Sequence, residues 1–166
     1  MRLKKDPDLY KQATKNILAQ IDAMHLSPEK REKAVHFVKL FREAFTKEEV
    51  QKSTALANSE ENIWGQGYDS GGFCRVASIT FMIAMDFHDW QLMAVQDDVW
   101  KYNHHWLQHK ESGKVLDLTY DQFLSPVPYE LGQKTAMNLS LQDETHVFAK
   151  HVGLDIMKMI VETKGK

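Results

Sequence analysis

The stretch NHHWLQHKESGKVLDLTYDQF, residues 103–123, combines three histidines, a tryptophan and an aspartate with the composition of a β-hairpin. Two segments rich in Val, Trp, Tyr and Leu, VWKYNHHWLQ (99–108) and KVLDLTY (114–120), flank an ESG turn signal. WQLMAVQ (90–96), just upstream, has the same character. These segments predict a small antiparallel sheet that carries ionisable side chains.

Alternation along a strand puts His104 and Trp106 on one face and His105 on the other. Asp117 lies between two leucines, and an acid in such a position needs a partner. A hairpin would bring His104 and Asp117 onto neighbouring strands. A symmetric two-residue turn, however, would place Asp117 opposite Gln108, about 13 Å along the strand from His104. Contact between the two therefore requires a bulge or an asymmetric turn.

The single cysteine, Cys74, lies in GGFCRVAS, after a glycine-rich loop (58–73) and at the start of the apolar run CRVASITFMIAM. That run has helical length, and the N-terminus of a helix favours a thiolate through its partial positive charge. The free N–H groups there can also bind an oxyanion. The alternative for a lone cysteine is a small buried apolar side chain.

The remainder of the chain is predicted to be helical. Apolar residues at helical spacing over 9–24 and 34–45 predict two amphipathic helices, the second with Ser27 as N-cap before a proline. Their charged residues indicate a solvated surface. The tail, 143–163, is amphipathic with a possible break at Gly153. Helices, then a helix leading into an antiparallel sheet, then helix predict an α+β fold.

Length and composition favour one domain of 166 residues with 27% charged residues and a net charge of −2. We divide it into a helical N-terminal part (1–57), a catalytic core (58–136) and a C-terminal helical segment (137–166). The charge gives no reason to expect nucleic acid or an anionic membrane as partner. No apolar run approaches the roughly 20 residues of a membrane helix, and no signal peptide is visible. We therefore expect a cytoplasmic location, where a lone thiol stays reduced.

The motifs GGFCRVAS, HHW and LDLTYDQF, in this order, resemble the transglutaminase-like superfamily of cysteine enzymes, which has a cysteine-proteinase-like core. The resemblance covers residues 64–123. It implies that Cys74 is the nucleophile, that His104 of the H-x-W motif is the base, and that Asp117 of the D-x-T motif orients the histidine. The implied activity is attack on an amide or peptide bond of a peptide or protein substrate, through a thioester and without a cofactor.

Two positions depart from the crosslinking members of that superfamily. Phe73 and Arg75 flank the cysteine where those enzymes have Gln and Trp, which argues against crosslinking. Hydrolysis is favoured over acyl transfer because nothing in the sequence suggests a site for a second substrate. Gln66, Trp106 and His105 are further candidates, as an oxyanion donor or as walls of the site.

Two other interpretations remain open. The chain could be a catalytically inactive interaction module of the same fold, with the helices of residues 6–57 as its docking surface. A metal site at His105 and His109 is disfavoured, because positions four apart on a strand lie about 13 Å from each other. The reactivity of the thiol distinguishes an enzyme from an interaction module.

Overall fold

A computed structural model describes residues 6–53, 72–137 and 143–165. Its helices in these ranges are α1 (Pro7–Ala23), α2 (Pro28–Phe45), α3 (Glu48–Ser53), α4 (Cys74–Met85), α5 (Asp143–His151) and α6 (Ile156–Lys164). Its strands are β1 (Trp90–Val95), β2 (His104–His109), β3 (Val115–Leu116) and β4 (Gln133–Lys134). Short 3-10 helices lie at Phe87–Asp89, Tyr120–Gln122 and Tyr129–Leu131. The predicted α+β class is confirmed. In the described ranges, no helix has the length and apolarity needed to cross a membrane.

Side-chain caps define the starts of the first two helices. Asp6 accepts hydrogen bonds from the N–H groups of Asp8 and Leu9 at the start of α1. Ser27 accepts one from Lys30 N–H at the start of α2, which confirms the predicted N-cap. The predicted break in the C-terminal tail is also confirmed, because α5 and α6 are separate and Gly153 between them has a φ of +74°.

The sheet is antiparallel, with strand order β3-β2-β1-β4. The strand predicted at 90–96 is confirmed, but those predicted at 99–108 and 114–120 are too long. The chain before His104 is a turn in which Trp100 N–H donates to the carbonyl of Gln96. After β3, the chain leaves the sheet at Asp117 and enters a 3-10 helix. Asp117 therefore follows a strand rather than occupying the centre of one.

One face of the sheet packs on the helices. Leu92, Leu107 and Leu116 form a row across β1, β2 and β3 and are fully buried. They belong to a core that also contains residues of α1, α2, α5 and α6. The helix α4 passes through this core, and its residues 76–84 are all buried. The N-terminal helices, the sheet and the C-terminal helices thus share a single apolar core.

The opposite face of the sheet carries a second, smaller cluster. Met93 and Trp106 face each other across β1 and β2, and Val95, Phe123 and Val127 pack with them. The Trp106 ring also lies edge-on to Tyr129, with 5.1 Å between the ring centroids. This cluster forms the surroundings of His104, which belongs to the same face of β2.

Replacing Gly132 by alanine is expected to lower the free energy of unfolding by about 1–3 kcal/mol. A Cβ atom at this position would overlap the Trp106 ring at Cζ2 and come within 2.6 Å of its Cη2. The φ of Gly132 is −68°, so the cause is space and not backbone strain. Urea unfolding measures the effect.

Gly165→Ala is the matched control for this substitution. The nearest atom to a Cβ at Gly165 is the Val161 carbonyl oxygen at 3.5 Å, an ordinary contact. Equal unfolding midpoints for the Gly132 and Gly165 variants would contradict the close packing of Trp106.

Candidate active site

Cys74 is the first residue of α4, as its sequence context predicts. The first N–H groups of a helix have no acceptor within the helix, and the N-cap residue Phe73 makes no side-chain capping bond. Gly72 has a φ of +86°, a conformation that favours glycine, which accounts for part of the glycine-rich approach. The half-buried thiol therefore lies at the positive end of a helix dipole.

The packing of Phe73 fixes the start of α4. Its ring is fully buried and stacks on Phe45, with centroids 4.6 Å apart, and contacts Phe148 at 5.9 Å. The phenylalanine that departs from the crosslinking pattern thus has a structural role. It anchors the residue before the thiol to α2 and α5.

The hairpin between β2 and β3 brings His104 and Asp117 together through a longer loop than a two-residue turn. His109 N–H donates to the Lys114 carbonyl, which leaves the four residues 110–113 as the loop. The pairing of Gln108 with Val115 shifts the register by two residues relative to a symmetric turn at Ser112-Gly113. Asp117 is then about 7 Å along the strand direction from the level of His104, a gap that two side chains can close.

His104 and Asp117 form a buried pair, with 2.7 Å between Nε2 and Oδ2 and no solvent exposure of either residue. The same Oδ2 accepts a hydrogen bond from the Tyr129 hydroxyl at 2.9 Å, and Oδ1 accepts one from Thr119 N–H at 3.2 Å. The backbone N–H of Asp117 donates to Gln20 Oε1 at 2.9 Å. The contacts with His104, Tyr129 and Thr119 give the carboxylate the hydrogen bonds that it requires in an apolar interior.

Aromatic rings and one amide surround the rest of the His104 imidazole. Phe123 lies edge-on to it, with centroids 4.8 Å apart, and Trp106 lies at 5.8 Å. The amide nitrogen of Gln122 is 3.4 Å from Nδ1. Asp117 engages Nε2, so Nδ1 is the ring nitrogen that the carboxylate leaves available, with Gln122 beside it.

The electrostatics of the site favour a thiolate. Burial raises the pKa of the Cys74 thiol, but hydrogen bonding to and charge on His104 and His105 outweigh it and lower the pKa to about 6. Burial lowers the pKa of His104, but the adjacent Asp117 carboxylate, with a smaller contribution from Cys74, raises it to about 10. Between these values, the pair consists of a thiolate and an imidazolium.

Tyr129 keeps its proton in this environment. Burial and then the neighbouring Asp117 carboxylate raise the pKa of the Tyr129 hydroxyl far above its ordinary range. The hydroxyl therefore donates to Asp117 at all ordinary pH values. Sequence reasoning did not find this residue, because Tyr129 lies outside the conspicuous motifs.

The end of the motif LTYDQF is attached to the N-terminal helices by Arg42. Its guanidinium donates to both oxygens of Asp121, at 2.7 and 3.0 Å, and to the carbonyl of Leu118. It also donates to Thr14 Oγ1 and to the carbonyl of Tyr10, whose ring it covers. Arg42 is only 1% exposed, so the prediction that the charged residues of these helices form a solvated surface is wrong for this residue.

The other predicted site residues have different outcomes. His105 is half-buried and, together with His104, lowers the pKa of the Cys74 thiol. Trp106 is buried beside His104 and forms a wall of the pair. Gln66 lies outside the described residues. Within the three described ranges, no group of three His, Cys, Asp or Glu side chains could hold a metal ion.

Comparisons with known proteins identify no relative of this chain. No protein-family model matches the chain, and neither the curated proteins nor the solved structures contain a significant match.

Proposed function

We propose that this chain is a cysteine-dependent hydrolase of amide or peptide bonds with a transglutaminase-like core. The observation that carries the proposal is the buried contact of 2.7 Å between His104 and Asp117, which leaves Nδ1 for the thiol. The position of Cys74 at a helix N-terminus and the lowered pKa of its thiol support it. The order Cys, His, Asp is that of the superfamily which the motifs resemble.

Acylation is the first half of the proposed reaction. The Cys74 thiolate attacks the carbonyl carbon of the substrate, and N–H groups in the first turn of α4 bind the oxyanion. The bond from carbon to nitrogen then breaks, and the leaving amine takes the proton from Nδ1 of His104. The products are a thioester on Cys74 and a neutral imidazole, still held through Nε2 by Asp117.

Deacylation reverses these roles. Water attacks the thioester and gives its proton to Nδ1 of His104, the bond from carbon to sulfur breaks, and the acid product leaves. The thiolate and imidazolium are restored. We propose hydrolysis rather than crosslinking, because Phe73 and Arg75 replace the residues that flank the cysteine in crosslinking enzymes. The proposed substrate is a peptide or protein, and the proposed compartment is the reducing cytoplasm.

Acylation by p-nitrophenyl acetate tests the proposal directly. We expect a burst of one equivalent of p-nitrophenolate at neutral pH and one acetyl group, which peptide mapping places on Cys74. Turnover should follow in wild type and be absent in Cys74→Ala. Denatured casein then serves as a substrate mixture, in which mass spectrometry distinguishes peptide cleavage from conversion of glutamine to glutamate. Acetylation that is spread over lysines and is equal in wild type and Cys74→Ala would refute the assignment of Cys74 as the nucleophile.

A further inference from the structure

The side chain of Gln122 is in contact with the imidazole of His104. Gln122 is the last residue of the 3-10 helix Tyr120–Gln122, which Thr119 precedes, and it is only 1% exposed. Its Nε2 lies 3.4 Å from His104 Nδ1 and 3.0 Å from Thr119 Oγ1. Its backbone N–H donates to the Thr119 carbonyl at 3.1 Å, which fixes the turn. The reaction of Cys74, His104 and Asp117 as proposed above gives this amide no role.

An amide nitrogen beside Nδ1 suits a neutral imidazole. Nδ1 of His104 can accept a hydrogen bond from Nε2 of Gln122 only when this ring nitrogen carries no proton. The Thr119 hydroxyl accepts the other bond from the same nitrogen. Once the thiol proton moves to Nδ1, however, that atom becomes a donor, and two donors would face each other.

A half-turn of the amide about its last side-chain bond removes this conflict. Oε1 then occupies the place of Nε2 and is a second acceptor for Nδ1–H of His104, beside the Cys74 thiolate. The Thr119 hydroxyl, which is both donor and acceptor, turns to donate to Oε1. Nδ1 of His104 thus has a partner in Gln122 in each protonation state, with no movement of the backbone.

We propose that Gln122 is a positioning residue that holds the His104 ring in both protonation states, its amide turning as the thiol proton arrives at Nδ1. The inference rests on the proposed function, because it requires Cys74 and His104 to exchange a proton. Among the described residues, the titratable groups that face His104 are Asp117 beyond β3 and Cys74 at the start of α4. Tyr129 reaches it through Asp117, and His105 through the shared thiol.

The variants Gln122→Met and Gln122→Glu test the proposal through the pH dependence of Cys74 alkylation by iodoacetamide. Methionine has similar length and can neither donate nor accept a strong bond, so the imidazolium loses an acceptor. We expect the midpoint to rise by about one pH unit, a tenfold lower ratio of thiolate to thiol at a fixed pH. Glutamate keeps an acceptor for Nδ1–H and should restore the wild-type midpoint or lower it.

A purely structural role of Gln122 predicts a different pattern. In that case both variants keep the wild-type midpoint, or both shift alike, and either result would overturn the proposal. Circular dichroism establishes that the variants fold.

If the variants do not fold, NMR of wild type decides. The chemical shifts of the Gln122 side-chain amide must then change with the same pH midpoint as those of the His104 ring nitrogens. Amide chemical shifts that do not change over this titration would contradict the proposal. Failure of the proposed function is recognised separately, as a wild-type alkylation midpoint at the ordinary thiol value of about 8.5.

Discussion

Asp117→Asn is expected to reduce hydrolysis by about 10²- to 10⁴-fold at neutral pH. Asp117 accepts at both oxygens, from His104 and Tyr129 at Oδ2 and from Thr119 N–H at Oδ1. Asparagine replaces one oxygen with an NH₂ group, which faces either Thr119 N–H, a donor, or Nε2 of His104. In the second orientation Nε2 becomes an acceptor and the ring proton lies on Nδ1, where it prevents uptake of the thiol proton. The imidazole loses its orientation and the charge that favours its protonated form.

The same substitution should reduce thiolate formation. Without the carboxylate, the pKa of His104 falls, so the imidazole holds the thiol proton less well and the thiolate fraction at neutral pH decreases, by up to about 30-fold if the Cys74 pKa returns to the ordinary value of about 8.5. Iodoacetamide alkylation measures this fraction, and turnover of p-nitrophenyl acetate measures the reaction. Asp22→Asn is the control, because Asp22 lies on the exposed surface, paired with Arg31. Wild-type rates in Asp117→Asn would show that the carboxylate has no part in activating the thiol.

Arg42→Ala is expected to lower the free energy of unfolding by about 3–5 kcal/mol. The substitution leaves the Asp121 carboxylate, which is 15% exposed, without its bidentate partner. It also removes the donors to the carbonyls of Leu118 and Tyr10. Urea unfolding followed by circular dichroism gives the value.

Arg31→Ala is the matched control for Arg42→Ala. Arg31 also lies on α2 and pairs with an aspartate, Asp22, but both side chains are 53% exposed. Such a pair contributes about 0–1 kcal/mol. Equal losses in the two variants would contradict the account of Arg42 as the attachment of the motif to the helices. Arg42→Lys should recover only part of the stability, because an ammonium group cannot reproduce the bidentate contact.

Local sequence signals predicted the helices well. Apolar periodicity indicated α1 and α2, Ser27 marked the start of α2, and the glycine-rich approach marked the start of α4 at Cys74. These features depend on residues that are neighbours in the chain, and such signals are visible in a single sequence. The two expected partners, His104 and Asp117, are also in contact, although their role in catalysis remains a proposal.

The register of the hairpin could not be predicted, because a side chain determines its loop. His109 Nδ1 lies 2.8 Å from Ser112 Oγ, and Gly113, with a φ of +71°, donates its N–H to the His109 carbonyl. These contacts extend the turn to four residues and move Asp117 toward His104. The ESG signal marked the position of the turn but not its length.

Contacts between distant parts of the chain were also missed. Arg42 lies four residues after Val38 and three before Phe45, on the apolar face of α2, which is a detectable anomaly for a charged residue. Its partner, Asp121, is 79 residues away, and nothing in the sequence identifies it. The same applies to Gln122 and Tyr129, whose contacts depend on how the chain after β3 folds back over the sheet.

Cys74 alkylation by iodoacetamide as a function of pH, in wild type and in His104→Ala, tests the central claim most directly. The exposed His88→Ala serves as control. We predict a wild-type midpoint near the pKa of about 6 and rapid reaction at neutral pH. In His104→Ala, the midpoint should move toward about 8.5, and the rate at neutral pH should fall more than about tenfold. Slow and identical reaction of all three proteins would contradict the account, leave Cys74 as a structural thiol, and favour an inactive interaction module that binds through its N-terminal helices.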